Sequence, residues 1–307
     1  MRLATAVVCA AGLWLLSLHA LSAQSGVSGV FFDEGWESGT SSNSFNSSNY
    51  GNAAGGQFSV QTAVRAQGAY ALRHLLPQGT APSSIQYATQ HFGDSIAGPV
   101  PVSGRGEHFS DLYVQYKIYY PPGFDRLSTD TYKQLIIGTQ DDRRHDNPCC
   151  NPWVAHYLTI YPPGDRNVAA EANNKQAASG QWVGFVENTG GYSTTNRYVI
   201  ENGRWYTVEV RRRLNDAGVD NGVFQMWVNG VLISDYRSVR YRIPFNGTYG
   251  TSMQYGTNFV MISDYTFAPV PQDQSIYYDD VKLSTTYIGT GATTTAPDPP
   301  TNVRIIR

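Results

Sequence analysis

The sequence predicts an all-β chain, two antiparallel sheets packed face to face, on three observations. Short runs of β-branched and aromatic residues recur between Leu112 and Ser263, most of them stopped by Pro, Gly or Asn, as expected of strands half buried in a sandwich. Asn202-Gly203, Asn221-Gly222 and Asn229-Gly230 fall between such runs, and Asn and Gly tolerate the positive φ of the type I′ turns that join antiparallel strands. No segment sustains a 3.6-residue apolar period, so parallel strands with helical crossovers are disfavoured. Asn167 to Ala178 holds helix-forming Ala, Glu, Lys and Gln but almost no large side chain, so one short exposed helix is the most expected of it.

Val30-Phe31-Phe32 opens the strands, and a loop rich in Ser, Asn and Gly follows from about Gly35 to Gly56. Ala69 to His74 is a second strand, closed by Pro77, Gly79 and Pro82. Leu112 to Tyr120 ends at Pro121-Pro122-Gly123, because proline lacks the ladder donor. Tyr132 to Gly138, Val154 to Tyr161, Trp182 to Glu187, Arg204 to Leu214, Val223 to Val228, Val231 to Ser234 and Asn258 to Ser263 complete the set.

Residues 1–23 read as a secretory signal: basic Arg2, an apolar run from Leu3 to Leu18, and small residues ending at Ala23. No later apolar run approaches the roughly 20 residues of a membrane span. An exported protein, extracellular or periplasmic, is expected, with one domain over residues 27–289 and a Pro/Thr-rich linker or tail over 290–307. Net charge is -2, which removes the electrostatic case for binding nucleic acid. Only 15% of residues are charged while Tyr reaches 21 and Trp 6, so the surface suits neutral hydrogen bonding and aromatic stacking. Adjacent Cys149 and Cys150 allow a vicinal disulfide or two thiols, and neither state gives zinc-ligand spacing. Gly-x-Ser-x-Gly and His-Glu-x-x-His are absent, as is the close Glu/Asp grouping of sandwich-fold glucanases.

The order Leu112-Tyr113-Val114-Gln115-Tyr116-Lys117-Ile118-Tyr119-Tyr120-Pro121-Pro122-Gly123, Tyr132-Lys133-Gln134-Leu135-Ile136-Ile137-Gly138, Trp205-Tyr206-Thr207-Val208-Glu209-Val210 and Gln225-Met226-Trp227-Val228-Asn229-Gly230 resembles the jelly-roll polysaccharide lyases. These belong to the concanavalin A-like lectin and glucanase superfamily. The resemblance spans about residues 30 to 289 and implies an antiparallel two-sheet jelly-roll β-sandwich that cleaves a uronate-containing glycan by β-elimination. It equally admits a noncatalytic carbohydrate-binding or cell-surface structural module. Lys133 falls where lyases of the alginate and glucuronan type carry Lys-Leu-Pro-Gly-Leu, although here Gln134-Leu135-Ile136-Ile137 follows the lysine.

Elimination needs a group that neutralises the uronate carboxylate, a base, and a proton donor for the leaving oxygen. Lys133, Tyr157, His145, Arg143 and Arg144 are the catalytic candidates; the last three sit in the densest charge cluster of the chain, Asp141 to Asp146. Each has a plain structural alternative, a snorkelling lysine, a wet-ended core tyrosine and a solvated loop. Gln134, Arg211, Gln225 and Trp227 are candidates to hold the sugar, by amide or guanidinium hydrogen bonds and ring stacking. Asp33 to Gly39 and Tyr277 to Val281 resemble the first and last strands of carbohydrate-binding jelly rolls, which often pair and hold a structural calcium. Glu37, Asp279 and Asp280 would supply its hard oxygens, or simply cap strand ends.

Overall fold

The computed structural model describes residues 28–40, 57–80, 88–91, 109–125, 132–138, 154–160, 168–174, 200–216, 219–239, 256–266 and 268–290. They contain thirteen strands: β1 (Val30–Glu34), β2 (Phe58–Gln61), β3 (Ala71–Leu76), β4 (Ala88–His91), β5 (Asp111–Tyr119), β6 (Tyr132–Gly138), β7 (Val154–Ile160), β8 (Val168–Asn174), β9 (Trp205–Arg213), β10 (Gly222–Val228), β11 (Val231–Val239), β12 (Phe259–Tyr265) and β13 (Gln274–Ser284). For β7, β8 and a few other strand residues, Lys133 among them, the backbone alone is described. Every pairing is antiparallel. Among the described residues no helix is long and apolar enough to cross a membrane.

One sheet runs β11-β10-β9-β5-β13-β3-β2, with β1 also on β13; the other runs β4-β12-β6-β7-β8. Alternation sends one row of each strand inward. Leu112, Val114, Tyr116 and Ile118 of β5 meet Val208 and Val210 of β9, and across the gap Leu135, Ile137, Val260 and Ile262 from the second sheet. Burial of this aliphatic and aromatic surface drives the two sheets together.

Two bulges decide where the strands turn. In β13 the register slips between Asp279 and Lys282, with Asp280 at φ 53°. The residues before the slip pair with β3 and those after it with β1, so one long strand serves two neighbours on one edge. In β12 the register slips between Ile262 and Tyr265, with Asp264 at φ 45°. Asp264 thereby reaches the inter-sheet core, where its Oδ2 lies 2.6 Å from His74 Nδ1 and its Oδ1 accepts from Tyr278 Oη at 2.5 Å. A buried ionisable group tied to the facing sheet is a specificity device, since a slip of one residue would strand it.

Of the three Asn-Gly pairs, Asn229-Gly230 makes the expected two-residue turn, with both residues at positive φ between β10 and β11. Asn221-Gly222 does not: Gly222 is already in β10, and Asn221 Oδ1 accepts from Asp216 N across a longer loop. The short helix expected within Asn167 to Ala178 is also corrected, because Val168–Asn174 pairs with β7 from Ile160 to Val154. An available ladder overrides weak helix propensity. The strand expected at Trp182 to Glu187, the signal segment 1–23, Cys149 and Cys150, and residues 291–307 of the tail lie outside the described residues.

Candidate functional site

The candidates separate into three places. Gln134 lies on β6 between Tyr132–Gly138 stops that the sequence already marked, and its row points away from Leu135 and Ile137, which belong to the core. Ile136 shares that row, and Met261 opposite it continues the row on β12. Gln134 is 0% exposed, and neither Oε1 nor Nε2 has a hydrogen-bond partner among the described residues. An amide buried without partners costs about 1–3 kcal/mol. The backbone of Lys133 pairs with Thr159 of β7, and Tyr157 stands two residues further along that strand. Lys133, Gln134 and Tyr157 therefore come from neighbouring strands of one sheet. Arg143, Arg144 and His145 lie outside the described residues.

Arg211, Gln225 and Trp227 are brought together, but on the outer face of the other sheet. Arg211 donates through Nε and Nη2 to the two oxygens of Asp111 (3.0 and 2.7 Å) and through Nη1 to Gln225 Oε1 (3.1 Å). The hydrogen bonds to Asp111 hold its guanidinium above the usual value despite partial burial. Trp227 is 1% exposed and packs with Tyr113, Leu232 and Tyr287. This surface, whose Arg211, Gln225 and Trp227 are candidates to hold the sugar, is filled by the strap 285–290 that follows β13. Glu209 holds the strap, accepting from Ile288 N (2.7 Å), Gly289 N (2.8 Å) and Gln115 Nε2 (3.0 Å). Burial pushes the Glu209 carboxyl up in spite of those donors, and burial beside Glu209 pushes the Tyr287 phenol up to about 12. Trp227 thus meets protein on its ring faces, and this cluster and Gln134 belong to different sheets.

The acidic positions split as well. Burial would push the Asp280 carboxyl up, but the hydrogen bonds and charges of Lys282 and Lys117 outweigh it and leave it below the ordinary value; Lys117 Nζ lies 3.0 Å from Asp280 Oδ2. Its oxygens face the two lysines. Asp279 points the other way: its Oδ2 accepts from Ala66 N (2.8 Å) and Gln67 N (3.2 Å), and its buried Oδ1 has no partner among the described residues. Burial is the main reason its carboxyl is raised. Glu37 Oε2 accepts from Ala69 N of the same loop at 2.9 Å. A Cβ on Gly35 would stand 3.7 Å from both Asp279 Oδ1 and Glu37 Oε1, so the two acids converge. Among the described residues no group of three or more His, Cys, Asp or Glu side chains is placed to hold a metal, so any cation here draws its remaining ligands from backbone or water oxygens.

Comparison with known proteins follows from this geometry. No family model matches the sequence, and no curated protein matches it. Among solved structures, an endo-β-1,4-glucuronan lyase from the fungus Trichoderma reesei superposes with a TM-score of 0.52 at 11% identity, covering 84% of this chain and 96% of the other. A mutant of the alginate lyase Aly36B in complex with an alginate trisaccharide gives 0.51 at 14% identity, covering 76% and 86%. The fold is a concanavalin A-like jelly roll. At such identities the likeness speaks for architecture and leaves the chemistry to the side chains.

Proposed function

We propose that the chain is an exported polysaccharide lyase that cleaves a uronate-containing glycan by β-elimination, on the face of the five-stranded sheet that carries Gln134. The observation behind this reading is the Gln134 amide, buried, partnerless among the described residues and turned away from the core. A sequence keeps such a group against its stability cost when a ligand supplies the missing bonds. The likeness in fold to a glucuronan lyase and an alginate lyase supports the same substrate class.

In this scheme Gln134 Nε2 donates to the uronate carboxylate and spreads the charge that develops when the adjacent C–H proton leaves. His145 takes that proton, the electron pair forms the ring double bond, and the bond to the 4-linked oxygen breaks as that oxygen is protonated; by alternation Lys133 and Tyr157 belong to the row of the opposite face, so they stand second to His145 as bases. Arg143 and Arg144 add positive charge toward the acidic chain. Glu37 and Asp279 would hold a structural Ca²⁺, a hard cation suited to their oxygens, which ties the 62–69 loop to β13 away from the chemistry.

The test incubates the exported protein with a panel of uronans and analyses the new ends. Unsaturated uronate ends are expected, and Gln134→Ala is expected to lower kcat by about 10²–10³, the loss usual for one charge-stabilising donor. Uronan binding without cleavage of any substrate would instead make the chain a noncatalytic glycan-binding module, a reading favoured by the half-buried rings of Tyr119 and Trp205 on the other sheet.

A further inference from the structure

On the outer face of the eight-stranded sheet a second surface remains open. Register aligns Arg73 of β3, Tyr277 of β13, Tyr119 of β5 and Trp205 of β9 in one row across four adjacent strands. Their chain neighbours His74, Tyr278, Ile118 and Tyr206 are buried, so alternation turns this row outward. Tyr119 and Trp205 stand 5.3 Å apart between ring centroids, and Tyr119 and Tyr277 stand 6.0 Å apart edge to face. With strands about 4.8 Å apart, the row is about 14 Å long. Tyr119 and Trp205 also line an open depression of about 530 Å³ whose other wall is the loop from Ala63 to Gly68.

Two features separate this row from ordinary packing. The Trp227, Tyr113 and Tyr287 cluster on the same face is sealed by the strap, whereas all three rings here keep part of their surface exposed. The rim, moreover, presents donors. Arg73 bonds through Nε to Ser275 Oγ at 2.9 Å, which leaves both Nη groups available among the described residues. Exposed Arg65 is tied to its own loop through Nε and Nη1, which leaves Nη2. Gln67 spends Oε1 on Lys117 Nζ (3.1 Å), which leaves its NH₂. Of the nearby acids, Asp280 is neutralised by Lys117 and Lys282, and Asp279 is buried with one oxygen on the backbone of the loop.

We infer that this row is a second glycan-binding site, holding an acidic polysaccharide chain laid across the strands at Trp205, Tyr119 and Tyr277. The rings stack on the C–H faces of successive sugars, and Arg73 and Arg65 pair with uronate carboxylates. The inference rests on the reading that the chain meets uronans, but it uses the opposite sheet from Gln134 and needs no chemistry. Such a site keeps the protein on an insoluble or gel-like substrate while another face works.

The test is titration of the full chain with polyglucuronate and alginate, followed by tryptophan fluorescence and by retention on immobilised uronan. Trp205→Ala and Tyr119→Ala are each expected to weaken binding about tenfold, as truncation of an aromatic anchor does, while Trp205→Phe retains most of it. Thermal unfolding checks that each variant is folded. Arg73→Gln is expected to weaken binding to uronans and reduce its salt dependence without changing binding to neutral glucans. Turnover of short soluble oligouronates should be the same in all these variants as in the wild type. Unchanged affinity in both Trp205→Ala and Tyr119→Ala, or neutral glucans bound as tightly as uronans, would overturn the inference. If no uronan is cleaved but the row variants still lose binding, the lyase reading fails and this site stands. If cleavage needs Gln134 and binding ignores the row, the reverse holds.

Discussion

Removing the Glu209 carboxylate should release the strap that closes the outer face. Glu209 is 2% exposed and is the acceptor for Ile288 N and Gly289 N, and for Gln115 Nε2. Gln115 keeps a second acceptor, the Gly289 carbonyl at 2.7 Å, so Glu209→Ala chiefly orphans two backbone N–H groups. At about 1–3 kcal/mol for each buried donor left unpaired, and with relief of the carboxylate's own desolvation set against that, a loss of about 3 kcal/mol is expected. In a chain of this size that corresponds to a fall in Tm of about 6–12 °C. Amide hydrogen exchange gives the local readout: Ile288 and Gly289 should exchange far faster in the variant, and the fluorescence of Trp227, now uncovered, should shift toward that of solvent. The raised carboxyl adds a pH signature. Its folded value lies above the ordinary 4.5, so the folded state binds the proton more tightly than the unfolded one. Wild-type stability therefore falls as pH rises from 4.5 through the folded value, and Glu209→Gln should lack that decline. A Glu209→Ala protein within about 1 kcal/mol of wild type, with Ile288 and Gly289 still protected, would refute this account of the strap.

The acids around the 62–69 loop offer three further outcomes. Gly68 has φ +60°, and a Cβ there would stand 1.9 Å from Glu37 Oε1, so Gly68→Ala should destabilise by at least the 1–2 kcal/mol of a left-handed alanine and by more once Glu37 is displaced, read by chemical denaturation. Chelation should lower the Tm of the wild type and leave that of Asp279→Asn unchanged; because burial raises the Asp279 carboxyl, added calcium should stabilise less as pH falls through that value, and a wild-type Tm indifferent to calcium at neutral pH would exclude the ion. Asp280 has the opposite sign: its folded value is below 3.8, so the stabilisation from Lys117 and Lys282 is complete above that pH and is lost as pH falls through the folded value. Lys282→Met should flatten this acid limb, as followed by unfolding at stepped low pH.

How much of this was legible in the sequence depended on the range of the contact involved. Tyr132–Gly138 was found with both bounds correct because local apolar and glycine signals define it, and Asn229-Gly230 announced its hairpin by φ preference alone. The resemblance of the first and last strands foresaw their pairing, seen from Val30 with Ser284 to Glu34 with Val281. The period of two along β9 also groups Trp205, Thr207, Glu209 and Arg211 on one face, but it says nothing of what covers that face. The strap reaches Glu209 from about 80 residues further along the chain, a separation at which no local pattern carries information. Tyr119 and Tyr277 were likewise hidden inside Tyr-Tyr pairs; in a strand buried on one side such a pair must send one ring inward, here Tyr120 and Tyr278, and the other out. The aspartates at the bulges left no trace either, since a left-handed Asp inside a strand breaks the alternation used to find it.

The most direct test of the proposed chemistry is the mass of the products released from polyglucuronate and alginate. β-Elimination leaves each new non-reducing end one water lighter than hydrolysis does, and the Gln134→Ala protein should yield almost none of these ends while remaining folded. Products that retain the water, or unsaturated ends formed equally well without the Gln134 amide, would contradict it.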